Sequence, residues 1–195
     1  MITDKPRDPI DNLLDLVLKP RTVTVVAGKP GEGKSSFAAW LLAVAGERRG
    51  VRGFFGSLDN THETVASIAK RQGGTFLIGS GGGAQSLVEI AIREKVGVFV
   101  LDGWHALKGG SVDLAAVKAA VMAVDHECSA IVTVPVVSGH SPWCKRSSHV
   151  VNAMLRVAGN SVEHVVAVEK SRGTREGERF HFTVAADGRW EYKIA

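Results

Sequence analysis

The chain has 195 residues, 45% of them hydrophobic and 23% charged, which is enough apolar material for one globular domain with a substantial core. Lys and Arg number 24 against 20 acids, a net charge of +4 that permits an anionic partner without identifying one. No apolar run approaches the length of a membrane span, no signal peptide is recognised, and Cys128 and Cys144 follow neither metal-ligand nor disulfide spacing, so a cytoplasmic protein with no membrane contact is expected.

Residues 1–9 are polar with two prolines and read as an N-terminal arm, leaving residues 10–195 as a single domain. Ile10 to Leu18 carries Leu13, Leu14, Val17 and Leu18 at helical spacing. Thr22 to Ala27 reads as a buried strand. It leads into Gly28-Lys29-Pro30-Gly31-Glu32-Gly33-Lys34-Ser35, which fits the phosphate-binding pattern G-x-x-x-x-G-K-[ST] at every fixed position. A helix follows, with Phe37, Trp40, Leu41 and Val44 on one face. Strand, glycine loop and helix form the context the pattern needs. Gly28, Gly31 and Gly33 free the backbone to curl its N–H groups around phosphate oxygens, and the helix N-terminus adds partial positive charge. Lys34 would reach the β- and γ-phosphates and the Ser35 hydroxyl would hold Mg²⁺. The candidate ATP-binding set is Gly28, Lys29, Pro30, Gly31, Glu32, Gly33, Lys34, Ser35 and Ser36. The alternative is a glycine-rich turn with an incidental lysine.

Val51 to Ser57 is a second strand, expected beside the first, and Thr61 caps a helix to about Gln72. Thr75 to Ile78 is a short strand and Gly79 to Gly83 a loop. Ser86 and Glu89 then form a capping-box pattern. Val96 to Leu101 is a continuous apolar run ending in Asp102, as in a central parallel strand. Ser111 is expected to cap a helix with Leu114, Val117, Val121 and Val124 on one face. Ala130 to Val137 is another buried strand, followed by a polar, basic loop from Ser138 to His149. In the last third Phe180, Phe182 and Val184 alternate, as do Trp190, Tyr192 and Ile194, around an Asp187-Gly188 turn. The expected fold is α/β, a mainly parallel central sheet with helices on both faces and a C-terminal antiparallel hairpin extension.

Asp102 stands where open α/β sheets place their ligands, and its expected role is to hold Mg²⁺ together with Ser35. A cap on the next turn is the alternative. Gly103 follows it, so a water-orienting carboxylate has to come from elsewhere, and Asp59 is the candidate. Asp59 or Asn60 could instead cap the helix that follows.

Three segments in addition to the glycine loop carry a resemblance. Gly53 to Asn60 resembles the segment ending Ser-Leu-Glu-Met in DnaB-type replicative helicases, whose glutamate activates water. Val98 to Leu107 resembles their second Walker motif, an apolar run followed by Asp-Tyr-Leu-x-Leu. Val166 to Gly173 resembles their Lys-x-Arg-x-Gly hairpin, placing Lys170 and Arg172 where the family's lysine and arginine enter the neighbouring subunit's ATP site. The resemblance runs from about Ile10 to the C-terminus in the family's order. It implies a RecA-like P-loop ATPase core and ATP hydrolysis at the interfaces of a homo-oligomer, with a hexameric ring favoured. Lys34, Asp59, Lys170 and Arg172 would be its catalytic residues. Asp59 is one methylene shorter than the family's glutamate. Thr133, Val134, Pro135 and Val136 stand where the family has its Ser-Gln sensor.

By the resemblance to RecA-type proteins the 138–149 loop would face the ring's pore or the filament axis. Lys145 and Arg146 could contact phosphates of single-stranded DNA and Trp143 could stack on a base. An ordinary surface loop is the alternative, as solvent-facing charge is for Lys170 and Arg172. Trp104, His105 and Lys108 form a weaker candidate loop. Two functional readings result: a helicase or translocase acting on single-stranded nucleic acid, or an ATP-dependent assembly switch that loads or regulates replication or recombination factors with slow hydrolysis.

Overall fold

The computed structural model describes residues 8–103, 114–136, 150–171 and 176–193. Its elements run α1 (Pro9–Val17), β1 (Val23–Gly28), α2 (Lys34–Arg49), β2 (Gly53–Ser57), α3 (His62–Arg71), β3 (Leu77–Ser80) and α4 (Gly83–Arg93). They continue with β4 (Val98–Asp102), α5 (Leu114–Ala123), β5 (Ser129–Pro135), β6 (Ala153–Gly159), β7 (Glu163–Ser171), β8 (Arg179–Val184) and β9 (Trp190–Tyr192). Among the described residues nine strands form one sheet, in the order β3-β2-β4-β5-β1-β6-β7-β8-β9. The pairings from β3 through β6 are parallel, and those from β6 to β9 antiparallel. The expected α/β class, with its mainly parallel sheet and antiparallel C-terminal strands, is what the structure has.

The apolar runs explain the centre of the sheet. Every residue of β1 and β4 is buried, as parallel strands covered on both faces require. One face packs against α1, α2 and α3, through Leu13, Leu14, Phe37, Leu41, Val65 and Ile68. The other packs against α4 and α5, through Leu87, Ala91, Leu114, Val117 and Val121.

Strands β6 to β9 alternate inward and outward, and their inward residues cover α2. Phe37 lies 5.6 Å from Phe182 and 5.3 Å from Trp190 between ring centroids, and Trp40 lies 4.9 Å from Phe182. Such aromatic pairs each add about 0.5–1.5 kcal/mol beyond the area they bury. The helix is therefore enclosed over most of its circumference. Ala38, Ala39, Leu42 and Ala45 are buried along with the expected Phe37, Trp40 and Leu41.

Several expectations need correction. The strand β2 does not lie beside β1: it pairs with β3 and β4, and both β4 and β5 separate it from β1. Gly79 and Ser80 belong to β3 rather than to a loop, because the bare Gly79 lets the Phe54 ring approach; a Cβ there would lie 2.9 Å from Phe54 Cζ. Helix α4 starts from Gly82 at φ +74°, so Ser86 lies inside the helix and caps nothing. Helix α1 begins at Pro9 rather than Ile10, with the Asp8 carboxylate accepting from the Ile10 N–H as its cap. Ser111 lies outside the described residues. Among the described residues no helix is long and apolar enough to cross a membrane.

Candidate active site

Strand β1 ends at Gly28 and α2 begins at Lys34, so residues 29–33 must reverse the chain within five positions. Gly31 and Gly33 achieve this at φ +82° and +80°, a region that side chains disfavour. Glu32 closes the loop internally, its carboxylate accepting from the Lys29 N–H. Gly33 is the N-cap of α2 and no side chain caps the helix, leaving the amides of its first turn for a ligand.

The C-terminal strands hold the loop from outside. A Cβ on Gly28 would lie 2.7 Å from the Val157 carbonyl oxygen, and one on Gly33 would lie 2.8 Å from the Trp190 ring. The His164 ring, 4.4 Å from that of Trp190, completes this wall. Burial pushes the His164 pKa down, disfavouring the imidazolium, and the Glu32 charge opposes that shift.

Lys34 folds back over the loop, its Nζ donating to the Lys29 carbonyl at 2.9 Å. Burial lowers its pKa from the usual lysine value, and the charges of Asp102, Glu32 and Asp59 oppose that shift. Ser35 reaches across the sheet: its Oγ donates to Asp102 Oδ1 at 2.8 Å, joining residues 67 apart in sequence. The same oxygen accepts from Thr133 Oγ1 at 2.7 Å, and Thr133 in turn accepts from the Gly103 N–H at 3.1 Å. Asp102 is 1% exposed. Burial pushes its pKa up, the Thr133 and Ser35 hydroxyls pull it back, and the charge of Asp59 adds to the rise.

Although β2 is remote from β1, Asp59 still reaches this group, because β2 and β4 are neighbours and end level. The Leu58 N–H donates to the Asp102 carbonyl at 2.9 Å. Asp59 Oδ1 accepts from Ser57 Oγ at 3.1 Å and from Asn60 Nδ2 at 2.8 Å, and Asn60 Nδ2 also lies 3.3 Å from Asp102 Oδ2. The helix cap is Thr61, whose Oγ1 accepts from the Thr64 N–H at 3.3 Å, so Asp59 is released from capping α3.

Neither a protein-family model nor a curated protein matches the chain. A hydroxyl and a carboxylate are hard oxygen ligands of the kind that hold Mg²⁺ alongside substrate phosphates, and Ser35 with Asp102 fits that role. Among the described residues no cluster of three or more His, Cys, Asp or Glu could hold a metal, and Mg²⁺ at a phosphate site needs no such cage. Cys128 is buried and its thiol is pushed up to about 11, an inert core side chain.

The structure thus gathers Gly28 to Ser35, Asp59 and Asp102 in one place. Lys170 is elsewhere: it pairs with Met154, which pairs with Val25, three residues before Gly28 and so about 10 Å down the sheet. Arg172, Trp143, Lys145 and Arg146 lie outside the described residues, as do Trp104, His105 and Lys108. Sequence reasoning missed Ser57, the hydroxyl of Thr133, and the wall of His164 and Trp190. Thr133 had a legible signal, as the one polar side chain within the apolar run from Ala130 to Val137.

Proposed function

We propose that the chain is an ATP hydrolase with a RecA-like P-loop core, akin to the ATPase domain of DnaB-type replicative helicases. In this reading it works in the cytoplasm as a homo-oligomer, a hexameric ring by preference, on single-stranded DNA. The observation that carries the ATPase assignment is the 2.8 Å bond from Ser35 to Asp102, which joins the glycine loop to the acid at the end of β4. An incidental glycine turn has no reason to meet a buried carboxylate there.

Lys34 and the uncapped amides of α2 would neutralise the triphosphate, and Ser35 and Asp102 would hold Mg²⁺. When bound, that ion withdraws charge from the β- and γ-phosphates. Asp59 would take a proton from the attacking water as the water oxygen bonds to the γ-phosphorus, while the bond from phosphorus to the ADP oxygen breaks. Products are ADP, inorganic phosphate and a protonated Asp59, which returns its proton to solvent. Lys170 lies away from its own glycine loop, which favours action on a neighbouring subunit's site, with Arg172 beside it in sequence.

The assembly-switch reading has its own support. The hydroxyl of Thr133 is engaged with Asp102 and Gly103, and the residues after it, Val134, Pro135 and Val136, offer no polar side chain to report the phosphate state to the 138–149 loop. Measuring ATP turnover with and without single-stranded DNA, alongside solution mass with and without nucleotide, separates the two. DNA-stimulated turnover in a ring supports the motor. Slow, unstimulated turnover with nucleotide-dependent assembly supports the switch, and no turnover of ATP at all refutes the ATPase assignment.

A further inference from the structure

Asp59 and Asp102 approach one another at the ends of β2 and β4, two carboxylates whose charges repel. One group lies between them. The Asn60 side-chain amide nitrogen is 2.8 Å from Asp59 Oδ1 and 3.3 Å from Asp102 Oδ2. The amide is itself fixed. The Asn60 backbone N–H donates to Ser57 Oγ at 3.1 Å, its Nδ2 lies 3.1 Å from the same oxygen, and Ser57 is fully buried. Asparagine ahead of a helix usually serves as its cap, but here Thr61 has that role.

Ser57 also donates to Asp59, but the hydrogen bonds of its Oγ stay within the Ser57–Asn60 turn. The Asn60 side chain links the base candidate to the metal-holding carboxylate, touching both. Aspartate has a short reach, so its place relative to Asp102 depends on such a link. An apolar residue at 60 would supply no donor, and an acid would add a third negative charge.

We propose that Asn60 is a positioning residue for ATP hydrolysis, its amide bridging Asp59 and Asp102 so that base and metal-holding carboxylate keep one fixed separation. The proposal rests on the ATPase reading above.

Two variants test it. Asn60→Ala removes the bridge, and Asn60→Asp keeps the side chain's shape while replacing the donor with an acceptor. Both are assayed for kcat and KM with ATP, for affinity toward a fluorescent ADP in EDTA, and for melting temperature. Each change should lower kcat on the order of tenfold to a hundredfold through misplacement of the base, with KM and ADP affinity within about twofold of wild type. In an Asp59→Asn background, Asn60→Ala should cost no further turnover, because the group it positions has already gone. Wild-type kcat in Asn60→Asp overturns the proposal, as does a loss that multiplies in full in the Asp59→Asn background. A variant that melts early while keeping wild-type turnover per folded molecule also overturns it. Absence of any nucleotide affinity in the wild-type protein is a different result: it removes the ATPase reading, and the proposal falls with it.

Discussion

The Asp59 carboxylate rests directly against Gly103: a Cβ at residue 103 would lie 2.1 Å from Asp59 Oδ1 and 2.3 Å from its Cγ. Gly103 holds φ +76°, so its left-handed backbone and its missing side chain serve the same seat. The acid at the end of β2 can cross to the end of β4 only because nothing projects there.

Gly103→Ala should therefore displace Asp59 while leaving the glycine loop intact. Affinity for a fluorescent ADP should stay near wild type, and turnover should fall on the order of tenfold or more. The left-handed backbone alone costs alanine about 1–2 kcal/mol, so the melting temperature should also drop by several degrees. In an Asp59→Ala background the clash is gone and only the backbone cost remains, so the melting temperature should drop less. An equal drop in both backgrounds would show that Asp59 is not seated on Gly103.

Asp102 sets stability against function. Burial raises its folded-state pKa above the unfolded value, so its charge opposes folding at neutral pH. The sign follows. The penalty is fully present above the raised folded pKa and fades as pH falls through that value toward the ordinary aspartate value of 3.8. Asp102→Asn should melt higher than wild type at pH 7 in EDTA without nucleotide, and the gap should narrow as pH is lowered. Its ATP turnover should be lost. A lower melting temperature for Asp102→Asn at pH 7 would mean that the Ser35 and Thr133 hydroxyl bonds outweigh the buried charge.

Lys145 and Arg146 belong to the nucleic-acid half of the proposal. If both meet phosphates, single-stranded DNA affinity should fall with salt, and their double alanine variant should show a shallower log-log slope by roughly 0.7 for each lost contact. Trp143→Ala should instead cost on the order of 1–3 kcal/mol with little change in slope. An unchanged affinity and slope in the double variant would remove this loop from DNA binding and favour the assembly switch.

Much of this was legible in the chain because it depends on local pattern. The apolar runs of β1, β4 and β5 read as central strands, and the glycines from Gly28 to Gly33 read as a tight connection from strand to helix, which is the arrangement found. What failed depends on three-dimensional neighbours. Periodicity does not encode strand order, so β2 was expected beside β1, whereas β4 and β5 intervene. Gly79 looked like a loop residue because its purpose, to admit the Phe54 ring, lies on another strand. Ser86 matched a capping box, but Gly82 in a left-handed conformation starts the helix a turn earlier. Asn60 read as a candidate cap, since its bridge to Asp102 exists only once β2 and β4 lie side by side.

The central claim is that the loop from Gly28 to Ser35 binds and hydrolyses ATP, and Lys34→Ala tests it most directly. Release of labelled phosphate from ATP should be measured for wild type and Lys34→Ala at matched folded concentration, with triphosphate affinity measured in parallel. The account predicts turnover by the wild type, and in the variant a loss of hydrolysis with weaker triphosphate binding, because the phosphate charge loses its main counter-ion. Hydrolysis by Lys34→Ala at the wild-type rate would contradict it.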